Sequence, residues 1–493
     1  MKDVQLFWQR YRLFPYEKIL GRREVESLLQ PEKIEEGKGF LLAKNCQQTD
    51  YIEDLVYFSS YILDGQTHKT RQAIREQDNG QKQNTRYFAH GIHEYKGKFN
   101  PQIVRAIMNI CHCSREATVI DPFCGSGTSL LEAELQDCTV YGIDVNPMAT
   151  FIAHTKANII FNIKAILDFD IDSFIHRVEQ TSRQQTLDDN VRTVYLKSWF
   201  RPEFLQYIEA WKTVAESIEN ETIRNLLLLS ASNILRNYSD QEPSDLRIRR
   251  RNSPYPEEYI GEAIKQNFIK SVHKISIFQQ NNSTIPTQRP VICCRNIKTI
   301  NPDEFPRFDL AVTSPPYATA LPYVDTQRLS IVWLGLETPQ NIKFLECSLI
   351  GSRETMSKSE RDQYIEDMKH NRQNLSKVVS EFCIGLQQRL TPSDGFRKQH
   401  TPFLLYKYFA EMSEMFKSIH NIIKPNAHFC LVVGYNRTGI GGNTIIDTPA
   451  LLAEEAQAKG FRLQEIIPLE TYQRYGLHAK QAITGEALII LTA

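Results

Sequence analysis

"VIDPFCGSGTSLLEAE" (residues 119–134) holds a strand, a turn and the start of a helix. Val119 and Ile120 form an apolar run that ends on Asp121-Pro122. Gly125 and Gly127 then bracket a turn, and Leu130-Leu131 open a helical pattern. Glycines tolerate positive φ and let the backbone approach a ligand with no Cβ in the way. The helix beyond presents orphan N–H groups at its start, which suit a carboxylate or another anion. Two common nucleotide loops are excluded. Leu130 stands where G-x-G-x-x-G needs its third glycine, and the Lys of a P-loop is missing.

Downstream, "VYGIDVNP" (140–147) is a second strand ending on Asp144. A carboxylate at the tip of the second strand accepts hydrogen bonds from both hydroxyls of a ribose. A ribose held there, with a carboxylate near the glycines, describes S-adenosylmethionine. Further strands are expected in "PVICCRN" (290–296), "FDLAVTS" (308–314), "HFCLVVG" (428–434), "FRLQEIIP" (461–468) and "EALIILTA" (486–493). Helical patterns alternate with them. The fold class is therefore α/β, a doubly wound parallel sheet with its ligand crevice beyond the carboxyl ends of the strands.

One of those strands runs into "TSPPY" (313–317). Two prolines cannot donate ladder hydrogen bonds, so the strand must stop there. Residues 314–317 suit chemistry on an amine conjugated to a base ring, whose delocalised lone pair makes it a poor nucleophile. The Ser314 hydroxyl and the Pro315 carbonyl can each accept one N–H of such an amine, freeing the lone pair. Pro315 and Pro316 fix that carbonyl's direction with little entropy left to lose. Tyr317 offers a ring face to a base flipped out of its stack.

In this combination and order the motifs resemble those of the amino-group DNA methyltransferases, which make N4-methylcytosine or N6-methyladenine. The resemblance covers about 86–160 and 290–493 and implies a Rossmann-like class I methyltransferase sheet with inserted, mostly helical segments. "DPFCGSGT" looks like the family's cofactor loop, implying that Asp121, Pro122, Phe123, Gly125, Ser126, Gly127 and Thr128 meet S-adenosylmethionine. "GIDVNP" is similar to the ribose segment, implying Asp144 and Asn146. "HGIHEYKGKFNPQIV" (90–104) looks like the part that closes over the methionine end, implying Lys98 and Phe99. His90 and His93 in it suit either a pocket wall or a turn. At the third strand's end, where the family usually has an acid for the adenine amino group, this chain offers Asn296. "TSPPY" looks like the catalytic motif, implying Ser314, Pro315, Pro316 and Tyr317. The family uses Ser in this position mostly for cytosine N4 and Asp mostly for adenine N6. The resemblance thus implies a site-specific DNA methyltransferase acting on cytosine N4, in a restriction–modification system or alone. Its partners would be double-stranded DNA and a cognate restriction endonuclease. Adenine N6, an RNA base amine, and a non-catalytic nucleic-acid-binding subunit are the alternatives. Cys124 is not preceded by Pro, unlike the cysteine of carbon-5 methylation, and reads as a small packed residue.

Bulk composition constrains the partner. Lys+Arg and Asp+Glu both number 58, so net charge is zero, and phosphate affinity needs local clustering. "LRIRRRN" (246–252) is the densest basic run, and Arg247, Arg249, Arg250 and Arg251 are its candidate DNA contacts. The ten cysteines are scattered, and the first residues show no export pattern, so reduced thiols in a cytoplasmic protein are expected. "CHC" (111–113) and "CC" (293–294) lack metal-ligand spacing and read as packing in buried strands or turns, with no metal. No apolar stretch approaches the ~18–20 residues of a membrane span.

The pattern divides the chain into six parts. The first is an N-terminal accessory segment (1–85), which mixes helical periodicity in "REVESLLQPEKIEE" with a linker-like tail. The cofactor-binding half (86–160) and a helical insert (161–288) come second and third. Next come the catalytic-loop part (289–336), a polar insert (337–400) and the C-terminal strands (401–493). Both inserts are candidates for target recognition, because unstructured connections that long are rare in compact domains.

Overall fold

The computed structural model describes residues 2–76, 82–245, 247–282, 285–318, 323–354, 357–442, 444–470 and 485–493, with Tyr323 in its backbone alone. Part of the linker expected at 78–85 falls outside the described residues. The N-terminal stretch differs from the sequence reading. The helix Pro15–Leu29 takes up the first half of "REVESLLQPEKIEE" and stops at Gln30, which adopts φ 47°. Pro31 comes next, and the second half becomes a strand. β1 (Lys2–Trp8), β2 (Lys33–Gly37), β3 (Phe40–Cys46), β4 (Phe58–Leu63) and β5 (Gln66–Lys69) form an antiparallel sheet in the order β2-β3-β1-β4-β5. The helical periodicity of 33–36 loses to ladder pairing with β3, where Ile34 faces Ala43.

The large sheet is the expected α/β one. β6 (Thr118–Asp121), β7 (Thr139–Asp144), β8 (Val291–Cys294), β9 (Phe308–Thr313) and β10 (Ile423–Gly434) run parallel. A small hairpin, β11 (Asn436–Thr438) and β12 (Thr444–Ile446), precedes β13 (Arg462–Glu470) and β14 (Gly485–Thr492). The order is β13-β14-β10-β9-β6-β7-β8. β14 is antiparallel to both its neighbours, so the sheet is mixed at this end and not wholly parallel as expected.

Period-two alternation explains why both faces are covered. Phe429, Leu431 and Val433 enter one core with the helix Phe396–Ile422, whereas Cys430 and Val432 enter the other. That second core contains residues of the helices Pro15–Leu29, Pro101–Ile110 and Thr128–Glu134. β8 is an edge strand, so Cys293 is half-buried and Cys294 exposed, not deep in a strand as expected. Cys111 and Cys113 lie 3.5 Å and 3.9 Å from Cys430 and Cys138, sulfur to sulfur.

Between β7 and β8 the chain builds a helical body with a third core around Trp211, Leu226, Leu227 and Phe268. Its longest helices are Pro202–Glu216 and Ile260–Asn281. The stretch 337–400 is also helical, with Ile342–Ser348, Lys358–Lys369, Lys377–Gln388 and the first turn of Phe396–Ile422. Among the described residues no helix is long and apolar enough to cross a membrane.

Segment 87–105 is pinned to the helix Thr128–Glu134 through a buried carboxylate. Glu132 accepts from the Tyr87 hydroxyl (2.6 Å), His90 Nε2 (2.8 Å) and Arg105 Nε (3.1 Å). Burial alone would raise the Glu132 carboxyl, but Arg105 and His90 overcome it and hold it well below the usual range. Burial lowers His90 to about 3, so its ring is neutral and donates. Glu132→Ala removes the partner of the buried Arg105 charge and should destabilise the protein by about 3–5 kcal/mol. Denaturant unfolding checks this, and an unchanged midpoint would mean that Arg105 is solvated in the native state.

Candidate functional site

The order of strands reverses between β6 and β9, which places the crevice of a doubly wound sheet at their carboxyl ends. Both ends carry a polar residue there, and the two are joined. Thr313 Oγ1 donates to Asp121 Oδ1 at 2.6 Å, and Phe123 N donates to the same oxygen at 2.9 Å. The Ser129 hydroxyl donates to Oδ2. Burial raises the Asp121 carboxyl to about 6 despite these donors. Asp121 therefore holds the Gly-rich turn against β9, with its carboxylate engaged by three protein groups.

The two glycines of the turn do different work. Gly127 has φ +76°, and a Cβ on it would lie 2.8 Å from Ala153 Cβ. Its missing side chain admits the helix Pro147–Ile159. Gly125 has φ +48°, and the nearest atom to its missing Cβ is a ring carbon of Tyr95 at 3.4 Å. Gly125 N donates to Asp144 Oδ2 at 2.9 Å, and Asn146 N donates to Oδ1 at 2.8 Å. Burial raises the Asp144 carboxyl to about 6. Turn and acid thus form one unit. Pro122 and Ser126 are buried and Phe123 half-buried in this loop. The Thr128 hydroxyl is buried without a hydrogen-bond partner among the described residues.

On the β9 side, Ser314 is half-buried, and its hydroxyl makes no hydrogen bond among the described residues. Pro315 is buried and Pro316 half-buried. Tyr317 is anchored at both ends of its ring. Its hydroxyl donates to Glu486 Oε1 of β14 at 2.5 Å, and a Cβ on Gly434 would lie 2.9 Å from its ring. The next helix, Tyr323–Leu334, is tied to the segment after β7, because Asn146 Nδ2 donates to Gln327 Oε1 at 3.0 Å.

Other expected residues are arranged differently. Asn146 is buried, and its side-chain oxygen caps the helix Pro147–Ile159 through Met148 N, so both ends of its amide are engaged internally. Lys98 Nζ donates to the carbonyls of Thr85 (2.7 Å) and His90 (3.0 Å), and burial lowers it to about 7. It lines a cavity of about 280 Å³ with Phe99, His93 and Tyr95. Asn296 lies just past β8, and its oxygen accepts from Lys298 N at 3.1 Å. Cys124 is buried, and burial pushes its thiol well up, so it is a neutral packed group.

The basic run divides. Arg251 donates to the carbonyls of Ser239, Pro254, Arg236 and Asn237 and stacks on Tyr255. Arg250 donates to Ser198 O at 2.6 Å and lies over the Trp199 ring. Arg249 pairs with Asp245 at 3.0 Å. Arg251 thus has its guanidinium taken up by the protein's own carbonyls, whereas Arg250 is exposed with one such bond. Arg247 lines a separate cleft with Arg353 and Arg397.

Sequence reasoning missed Thr313, Ser129 and Tyr95. For the first, the available signal was a polar residue closing an otherwise apolar strand as the opening residue of TSPPY. Nothing local marks Tyr95, whose contact with Gly125 is set by the chain path.

Residues 91–194 match the model of UPF0020, the RMKL-like methyltransferase domain. The Type II methyltransferase M.MvaI of Kocuria varians is 22% identical over 378 residues, covering 72% of this chain and 78% of that protein. The Type II methyltransferase M.BsoBI of Geobacillus stearothermophilus is 22% identical over 424 residues, 80% of this chain and 82% of its own length. A shorter match, 27% identical over 100 residues, is to the tRNA (guanine(10)-N2)-dimethyltransferase of Methanothermobacter thermautotrophicus, over 20% of this chain and 27% of that one. The chain carries a methyltransferase domain, and the methyl donor of such a domain is S-adenosylmethionine. The residues fit it: the Asp144 carboxylate is met only by backbone donors among the described residues, and the buried Thr128 hydroxyl is unpaired among them.

A ribose held by the Asp144 carboxylate would give cofactor binding a pH signature, because burial raises that group to about 6. Protonation removes acceptor capacity, so affinity for S-adenosylmethionine should fall as pH drops through about 6, by roughly tenfold at pH 5. Titration calorimetry between pH 5 and 8 measures it, with Asp144→Asn expected to bind weakly and without that slope. A flat wild-type profile would remove Asp144 from the ribose.

Proposed function

We propose that this chain is a site-specific DNA methyltransferase that transfers a methyl group from S-adenosylmethionine to an exocyclic base amine, cytosine N4 in the first instance. The observation that carries the reading is the Ser314 hydroxyl, unengaged among the described residues, on a strand end locked to the cofactor turn by the Thr313–Asp121 hydrogen bond. S-adenosylmethionine supplies an activated sulfonium methyl group. Asp144 and the turn at Gly125 would hold the ribose, and Thr128 would meet a polar group of the donor. Ser314 Oγ and the Pro315 carbonyl would accept the two N–H groups of the amine and aim its lone pair at the methyl carbon. Tyr317, fixed by Glu486 and Gly434, would stack on the flipped base. Catalysis on this scheme is orientation and electrostatics, without a covalent intermediate on the protein.

The Type II methyltransferases that align with most of the chain support DNA as substrate, and a restriction–modification setting with a cognate endonuclease belongs to the same reading. The family's use of Ser in this loop supports cytosine. The short likeness to a tRNA methyltransferase favours one second reading, an RNA base amine.

Ser314→Ala should lower methyl transfer by about 100-fold or more, near 2.7 kcal/mol of barrier, while cofactor affinity stays within about twofold. Single-turnover transfer and calorimetry on one preparation separate the two effects, and normal turnover would exclude this mechanism. DNA from a methylation-deficient host expressing the chain, digested to nucleosides and analysed by mass spectrometry, should contain N4-methylcytosine. N6-methyladenine in its place would keep the mechanism and change the base. Neither modification, with methyl transfer to tRNA, would select the second reading.

A further inference from the structure

A cleft of about 730 Å³ opens between the helix Lys358–Lys369, the start of the helix Phe396–Ile422 and the hairpin β11–β12. Eight of its lining residues are Lys or Arg, and one, Glu354, is acidic. In a chain with no net charge this is a strong segregation of sign. Two of the cations are neutralised locally, Lys398 by Asp394 (3.1 Å) and Arg361 by Asp362 (3.2 Å). Arg247, Lys343, Lys358, Arg397 and Arg437 are exposed and have no carboxylate within ion-pair distance among the described residues. They come from five separate segments of the sequence. Arg353, which lines the same cleft, is lowered by burial and then by repulsion from Arg247 and Arg397. Such an arrangement opposes itself unless an anion with spaced charges occupies it. Phe396, 73% exposed, stands among the cations, a ring face suited to a sugar or base beside the phosphates.

The cleft also lies next to the candidate catalytic loop. Gly434, on which the Tyr317 ring rests, is three residues before Arg437, so the two Cα atoms are at most about 11 Å apart. A duplex presents phosphates at this scale around any base it offers to the site.

We propose that this cleft grips the phosphodiester backbone of double-stranded DNA beside the target base, with Arg247, Arg397 and Arg437 as direct phosphate contacts. The proposal rests on the reading of the protein as a DNA methyltransferase. It replaces Arg250 and Arg251, whose guanidinium groups are engaged within the protein, as the principal DNA-binding arginines.

The test is the salt dependence of binding between the full-length protein and a defined duplex, for the wild type and the triple variant Arg247→Gln/Arg397→Gln/Arg437→Gln. Neutralising each phosphate contributes about 0.9 to the slope of log K against log salt, so the variant's slope should fall by about 2–3. Its affinity at 0.1 M salt should drop by roughly 30-fold or more. Cofactor affinity and the thermal midpoint should match the wild type, because these side chains are exposed and outside the ion pairs of the described residues. A wild type that methylates DNA and a variant with the same slope would overturn the cleft and leave the function standing. A wild type that binds and methylates a tRNA pool but no duplex would overturn the DNA reading, and this proposal with it.

Discussion

The site depends on one buried carboxylate. Asp121 ends β6, and without donors its burial would favour the neutral acid. Thr313, Ser129 and the Phe123 amide supply those donors, and in doing so they fix three things to one atom group: the end of β9, the first turn of the helix Thr128–Glu134 and the Gly-rich turn. The Asp144 carboxylate repeats the device one strand over by taking the Gly125 amide. The Gly-rich turn and the end of β9 are thus held by short polar contacts inside an apolar sheet. Such contacts specify geometry more than they add net stability.

The sheet was legible because its strands are short apolar runs bounded by Gly, Pro or Asp, and all seven expected strands are present. The positions proposed for the site stood out for the same reason, since Asp121, Asp144 and Ser314 lie at or just past strand ends where the pattern breaks, with Gly125 in the turn that follows β6. Reversal of β14 was not legible, because periodicity carries no strand direction. Half of "REVESLLQPEKIEE" was misread as helix because its charged alternation suits both periods, and a partner strand decided it.

Side-chain roles were the least legible part. "LRIRRRN" reads as a phosphate patch by composition, yet carbonyls of 198, 236, 237, 239 and 254 take up two of its guanidinium groups. Arginine serves equally as a backbone clamp, and only the chain path shows which. The cleft as a whole was not legible for the opposite reason, although Arg247 stands in the basic run. Its cations are dispersed over about 190 positions of sequence, from Arg247 to Arg437, and no local window collects them.

The helical body between β7 and β8 bears on how the sheet is assembled. Tyr141 pairs with Val291 across 150 residues of chain, a separation that would make a structureless loop slow to close. Yet the helices of that body pack on one another around Trp211 and Leu227, in a core shared with the helices Pro147–Ile159 and Tyr323–Leu334, and its return path is stitched down by Thr287 to Asp137 (3.1 Å) and Arg289 to Asn158 (2.7 Å). Once its helices have condensed, the effective loop shrinks to the gap between their ends. β8 is then delivered to β7 much as a short crossover would deliver it, at only a modest closure entropy. The insertion is thereby kinetically quiet, which explains how a sheet of this kind can carry so much extra chain at its second connection and still close around the same crevice.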